Sequence, residues 1–214
     1  LEAIRELISR MSLLSQPPTA AVTTGVLDGY AGLESCFDEL IGRDAQFRPH
    51  WRGLVEGLDT LGLAEFTERW RDVQQLIHEN GVTYNVYGDP RGLDRPWQLD
   101  PIPLVIAHEE SEQLQSGLVQ RARLLEAILA DLYGPQKLLS ARLLPPELVF
   151  ANNSFLRPLH RVTPPGERYL HLVAFDLGRD PQGNVCVLAD RTQAPSGAGY
   201  ALENRIVLGR MLPE

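Results

Sequence analysis

Apolar side chains recur at steps of three and four through Leu63, Phe66, Trp70, Val73 and Ile77, and the run closes at Asn80-Gly81. That spacing gathers all five on one face of a helix with a glycine-type stop. A second stripe runs through Leu114, Leu118, Ala122, Leu125, Ile128 and Leu132, ending at Gly134-Pro135. Glu109, Glu110 and Glu112 load its first turn, where negative charge complements the helix dipole. Arg121, Arg123, Glu126 and Asp131 read as the solvated flanks of this helix. Shorter helical patterns cover residues 2–14, Leu33 to Leu40, Trp51 to about Leu61, and Tyr200 to Arg210. Gln16-Pro17-Pro18 breaks the first of these and makes it an appendage.

Other stretches have the strand pattern. Val82 to Tyr87 is β-branched and aromatic and ends in the polar loop Gly88 to Gly92. Leu99 to Ile106 reads as a strand with prolines at its start, and Glu147 to Phe150 as a short one. The most informative stretch begins at Tyr169. Leu170 to Asp176 is an apolar run ending in an acid, Asp180-Pro181-Gln182-Gly183 is a turn signal, and Val185 to Leu188 is the return strand. Asp190, Arg191 and the small-residue loop Ala194 to Gly199 follow. Strands alternating with helices, plus one late hairpin, indicate a mixed α/β fold.

Composition narrows the function. The 214 residues, 43% hydrophobic and 22% charged, suit a globular chain with a substantial core. A formal charge of −8 argues against non-specific nucleic-acid binding, which needs a basic face. No long apolar run or signal peptide appears, so the expectation is a cytoplasmic protein without membrane contact. Cys36 and Cys186 read as buried, reduced thiols. His50, His78, His108, His160 and His171 lack metal-ligand spacing; His171 alternates onto the face of Val173 and Phe175, which predicts a buried, hydrogen-bonded ring. Trp51, Trp70 and Trp97 belong in the core or its seams. Lys137 is the only lysine. The chain opens on Leu1 and stops at Pro213-Glu214 after a helical pattern, so it is expected to be a segment of a longer polypeptide, with most of any phosphate grip elsewhere.

Gly81 to Asp89, Asp100-Pro101-Ile102-Pro103, Ala194-Pro195-Ser196-Gly197 and Leu202-Glu203-Asn204-Arg205 together resemble the circularly permuted ATP-grasp proteins of type 2, a family related to glutathionylspermidine synthetase-like ligases. The resemblance runs in order from about Asp38 to the C-terminus. It implies a Rossmann-like (pre-ATP-grasp) α/β region followed by part of an ATP-grasp fold with a β-hairpin. The expected divisions are an appendage over 1–18, the Rossmann-like region over 19–165, and the first part of the grasp subdomain over 166–214. It further implies ATP and Mg²⁺ as cofactors, a carboxylate–amine ligase working through an acyl-phosphate, a small-molecule or peptide substrate, and a helical partner domain of the alpha-E type.

In that family the hairpin's first strand gives a metal-binding Asp and its second a Glu-x-Asn. Here the second-strand positions fall on Ala189 and Arg191, with Asp190 between them. Residues two apart share a strand face, so Ala189 offers no ligand and Arg191 brings a positive charge to a cation site. Three readings stand side by side. Arg191 pairs with Asp176 and replaces the metal's charge, or binds phosphate; or a register slip brings Asp190 round to join Asp176 as a two-carboxylate metal site; or both acids merely cap strand ends. The resemblance also makes Arg191, Ser196, Gly197, Asn204 and Arg205 candidate nucleotide contacts, with Ser196 as a simple helix cap the plainer reading. Asn85, Asp89 and Arg95 are candidate substrate contacts. A non-catalytic ATP-grasp relative serving as a scaffold for a partner protein is the alternative, motivated by Ala189 and Arg191.

Overall fold

The computed structural model describes residues 25–33, 35–83 and 97–212. The expected helix over 2–14 and most of the strand Val82–Tyr87 lie outside these. The chain forms two compact units. The first draws on residues up to Ile106, on Arg179–Val185 and on the chain from Ser196 onward; the second comprises Ala107–Gly178 and Cys186–Pro195.

In the first unit, the two helical patterns flanking Leu61 are one helix, α1 (Arg52–Glu79), interrupted at Gly62, where φ is 74° and ψ 157°. Only glycine visits that backbone region readily. The break also interrupts the apolar period: Phe66, Trp70, Val73 and Ile77 are buried, whereas Leu63 is 50% exposed. Against that face packs the C-terminal helix (Ala198–Met211, labelled α5 below) through Val207 and Met211, both almost solvent-free. A second cluster gathers Leu40, Trp51 and Val55.

The helix expected over Leu33 to Leu40 does not form. Asp38 Oδ1 accepts the N–H groups of Leu40 and Ile41 at 2.9 and 2.8 Å, so a side chain supplies the turn that a helix would otherwise make. The strand expected over Leu99 to Ile106 is absent as well. Asp100 Oδ1 takes the Ile102 N–H at 3.0 Å, and Pro101 and Pro103 have no N–H to give a ladder.

The second unit is built on α2 (His108–Tyr133), the long helix expected from its stripe, followed by α3 (Lys137–Ser140). Its supposed solvated flanks hold the structure together. Glu126 accepts the backbone N–H groups of Tyr169 and Leu170, both at 2.7 Å. Asp131 accepts those of Lys137 and Leu138, both at 2.9 Å. The segment Glu147–Phe150, expected to be a strand, lies in a helical turn, α4 (Pro146–Phe150). Pro146 opens that turn, a position where its missing N–H goes unneeded. Tyr133 stacks on Phe155 and Tyr169 with ring centroids 4.8 and 5.7 Å away.

The hairpin forms as expected, from β1 (Ala174–Arg179) and β2 (Val185–Arg191), the one sheet among the described residues. Its strands sit further along than the apolar runs suggest, because β1 begins only at Ala174; His171 lies before it and is exposed, not buried. Asp180 organises the turn: its Oδ1 accepts Gln182 N–H and Asn184 N–H, and its Oδ2 accepts the Asn184 side-chain amide. Gly183 has φ 96°, and a Cβ there would lie 2.5 Å from the Phe37 ring. Cys36 and Cys186 are both exposed, against the expectation of burial. Trp51 and Trp70 are core residues and Trp97 packs at the core's edge, as expected. The parallel sheet that a Rossmann-like region requires is not among the described residues.

Candidate functional site

On the hairpin, Arg191 and Asp176 stand opposite each other on one face. Arg191 Nε lies 3.0 Å from both Asp176 oxygens and Nη2 lies 2.6 Å from Oδ2, a bidentate pair. The pair is open to solvent, with Arg191 61% and Asp176 39% exposed. Hydrogen bonding to Arg191 holds the Asp176 carboxyl below its usual range and raises the guanidinium above its own.

Strand alternation sends the next side chain the other way. Asp190 receives Arg121 of α2 through Nε at 2.6 Å and Nη2 at 2.8 Å, and this second bidentate pair lowers the Asp190 pKa in the same manner. Asp176 and Asp190 therefore face opposite sides of the hairpin, and the register slip that would unite them has not occurred. The pairing of Arg191 with Asp176 is the arrangement in which a guanidinium takes the place of a cation's charge. Arg121 was hidden from sequence reasoning because its position on an exposed helix flank carries no signal of a partner 69 residues away.

Mg²⁺ asks for octahedral oxygen, usually with one or two carboxylates free to bind. Asp176 is engaged by a cation, Asp190 by another, and Ala189 offers no oxygen. No group of three or more His, Cys, Asp or Glu side chains that would hold a metal exists among the described residues. The residues described here do not fit a Mg²⁺ site.

The remaining candidates lie in the first unit, around α5. Gly197, at φ 108°, caps this helix with backbone alone; Ser196 is exposed and makes no side-chain cap, so the simple-cap reading does not hold. The first N–H groups of α5 therefore lack a side-chain acceptor, the arrangement that suits an anion. Arg205, two turns on, is exposed and has no ion pair among the described residues. Asn204 differs: its Oδ1 accepts the Trp97 indole N–H at 2.8 Å. Around it, the Trp97 and Tyr200 rings lie 4.4 Å apart, Tyr200 donates its hydroxyl to Thr83 O at 2.6 Å, and Asn80 donates its side-chain amide to Glu203 at 2.6 Å. Trp97 N–H also donates to Val82 O at 3.0 Å. One face of α5 thus holds both ends of the segment between Thr83 and Trp97. Asn85, Asp89 and Arg95 fall inside that segment and outside the described residues.

Comparison with known proteins places this geometry. A family model, circularly permuted ATP-grasp type 2, matches residues 103–214, more than half of the chain. The uncharacterized protein Rv2567 of Mycobacterium tuberculosis is 40% identical over 210 residues, covering 94% of this chain and 24% of that protein. The uncharacterized protein sll0335 of Synechocystis is 34% identical over 178 residues, covering 83% of this chain and 37% of that one. The chain therefore spans about a quarter of the length of the mycobacterial relative. The match covers α2, the hairpin with its Asp176–Arg191 pair, and α5, and the chain belongs to the circularly permuted ATP-grasp type 2 family.

Proposed function

We propose that this chain is part of an ATP-dependent carboxylate–amine ligase, related to the glutathionylspermidine synthetase-like enzymes and working through an acyl-phosphate. In such a reaction the terminal phosphoryl group of ATP passes to a carboxylate, and an amine then displaces phosphate, leaving ADP, phosphate and an amide. Membership of the ATP-grasp family carries the reading. The chain's own contribution is to anion handling. Arg191 holds a positive charge on the hairpin beside Asp176, the α5 N-terminus after Ser196 and Gly197 presents the uncapped N–H groups of its first turn, and Arg205 offers a further cation. Asn204 acts through Trp97, as a support for the segment carrying Asn85, Asp89 and Arg95, where a small-molecule or peptide substrate would bind. An alpha-E-type helical domain is the expected partner.

A specific observation favours a second reading. Asp176 is neutralised by Arg191 and the described residues lack a carboxylate cluster, which is what a non-catalytic scaffold descended from a ligase would show. Calorimetric titration of the intact protein with ATP, with and without Mg²⁺, separates the two. Metal-dependent binding, followed by amine-dependent release of ADP and phosphate, supports the ligase. Absence of nucleotide binding under both conditions overturns it in favour of the scaffold.

A further inference from the structure

The first unit contains a cavity of about 360 Å³ that takes no part in the chemistry of the hairpin or of α5. Much of its wall is apolar, from Val26, Leu40, Phe66, Ile102 and Leu104. The volume is at the small end of the range for ligand pockets and suits one ring with a short side chain. Its polar groups are all of one kind. Asp28, Glu39 and Asp100 line it with carboxylates, and Tyr30 lines it with a phenol. The Tyr30 hydroxyl spends its proton on Asp38 Oδ1 at 3.2 Å. Burial, reinforced by Asp38, raises its pKa, so that proton stays in place and only oxygen lone pairs remain for a ligand. Trp51 contributes its ring alone, because its indole N–H is closed off from solvent. Among the described residues, the lining side chains therefore offer acceptors and no free donor.

Charge narrows the ligand further. Glu39 is matched by Arg179. Asp28 has no ion pair among the described residues, and Asp100 accepts only the neutral Ile102 N–H, at 3.0 Å. No lysine or arginine stands among the described lining residues. Two carboxylates thus border an apolar cavity with no cation to offset them. An anion entering here is repelled, and a neutral molecule leaves both charges unanswered; an ammonium brings the missing charge and three N–H donors. We infer that this cavity binds a compact organic ammonium, a single ring or branched alkyl body bearing one primary amine, with the body against the apolar wall and Asp28 and Asp100 supplying the counter-charge. The assignment rests on the cavity alone and requires neither ATP nor the ligase reading.

The test titrates the intact protein, by NMR observed on the small molecule, with three probes of one size: 2-phenylethylamine, 2-phenylethanol and phenylacetate. The amine is expected to bind saturably in the millimolar range of fragments, about threefold to tenfold more tightly than the alcohol, with phenylacetate the weakest. Added salt should narrow that gap. The double variant Asp28→Asn/Asp100→Asn keeps an Oδ1 for the Ile102 N–H and should erase the preference for the amine. Its retained affinity for the alcohol shows that the cavity is still formed. Asp28→Asn alone, at an exposed position, should show part of the same loss. Leu104→Lys, made where the wall is already 58% exposed, should weaken the amine and strengthen phenylacetate, which locates binding in this cavity. Equal affinity for amine and alcohol, or a preference that survives the double variant, overturns the proposal. Absence of saturable amine binding overturns it too and leaves the cavity to water or to another part of the chain.

Discussion

The bond between Trp97 and Asn204 is the sharpest test of how α5 works, because the two readings of Asn204 make opposite demands on it. A nucleotide ligand must be free to turn towards its ligand; a support must stay bonded to Trp97. The indole N–H to Oδ1 distance of 2.8 Å is that of a well-formed hydrogen bond between two half-buried groups. Such a neutral bond contributes about 1 kcal/mol net, and removing the acceptor alone strands the indole N–H at a cost of about 1–2 kcal/mol. Trp97→Phe removes the donor and keeps a ring against Tyr200, so the tilted ring contact at 4.4 Å is largely preserved. In a double-mutant cycle Asn204→Ala and Trp97→Phe should therefore be coupled by about 1 kcal/mol. For a chain of this size that is about 2–4 °C in Tm, well within reach of thermal and urea unfolding. Additivity of the two single changes to within about 0.3 kcal/mol would refute the support role and release Asn204 as a ligand candidate.

Other expectations follow from the same geometry. Gly62→Ala should destabilise by about 1–3 kcal/mol in urea unfolding, although alanine is the better helix former, because nothing beyond the local helix backbone lies within 4 Å of the new Cβ and backbone strain at φ 74° outweighs the propensity gain; a gain in stability would mean the break at Gly62 is not fixed. Glu126→Ala should lower stability by about 1–3 kcal/mol, since it strands the Tyr169 and Leu170 amides, and Glu126→Gln should recover part of the loss. Asp176, Asp180 and Asp190 all have lowered pKa values, so their stabilising contribution is complete above the ordinary Asp value of about 4 and is lost as pH falls through the lower folded values. Thermal midpoints of the chain should fall below pH 4, and Asp190→Asn should flatten that decline; identical slopes for parent and variant would count against the pairing with Arg121.

What could be read from the sequence was whatever local pattern controls. The α2 stripe, the Asp180 to Gly183 turn and the helix after Gly197 all declare themselves within a few residues. Two segments misled because a side chain competed with the backbone: Asp38 captured N–H groups where a helix was expected over Leu33 to Leu40, and Asp100 captured that of Ile102; a third misled because Pro146 opened a helical turn where Leu148, Val149 and Phe150 suggested a strand. At the hairpin, the sequence offered the pairing of Arg191 with Asp176 as one of three readings and left Asp190 open between two faces. The answer lay in Arg121 on α2, and a pair so distant in the chain leaves no periodic trace. Glu126 and Asp131 share that history: each reads as a solvated helix flank until the segment it holds is folded against it.

The hairpin has one more consequence, through its connectivity. Its turn, Arg179–Val185, belongs to the first unit, while the rest of both strands belongs to the second. The chain therefore passes from one unit to the other after Ile106, after Gly178, after Val185 and after Pro195. Neither unit is a continuous stretch of sequence, so no single truncation releases either one whole. A protease nick at any one crossing leaves the others as covalent ties, and a mechanical load between the units is shared by parallel strands of chain. The two units are sewn together by the backbone itself, and the hairpin that carries Asp176 and Arg191 is two of the stitches.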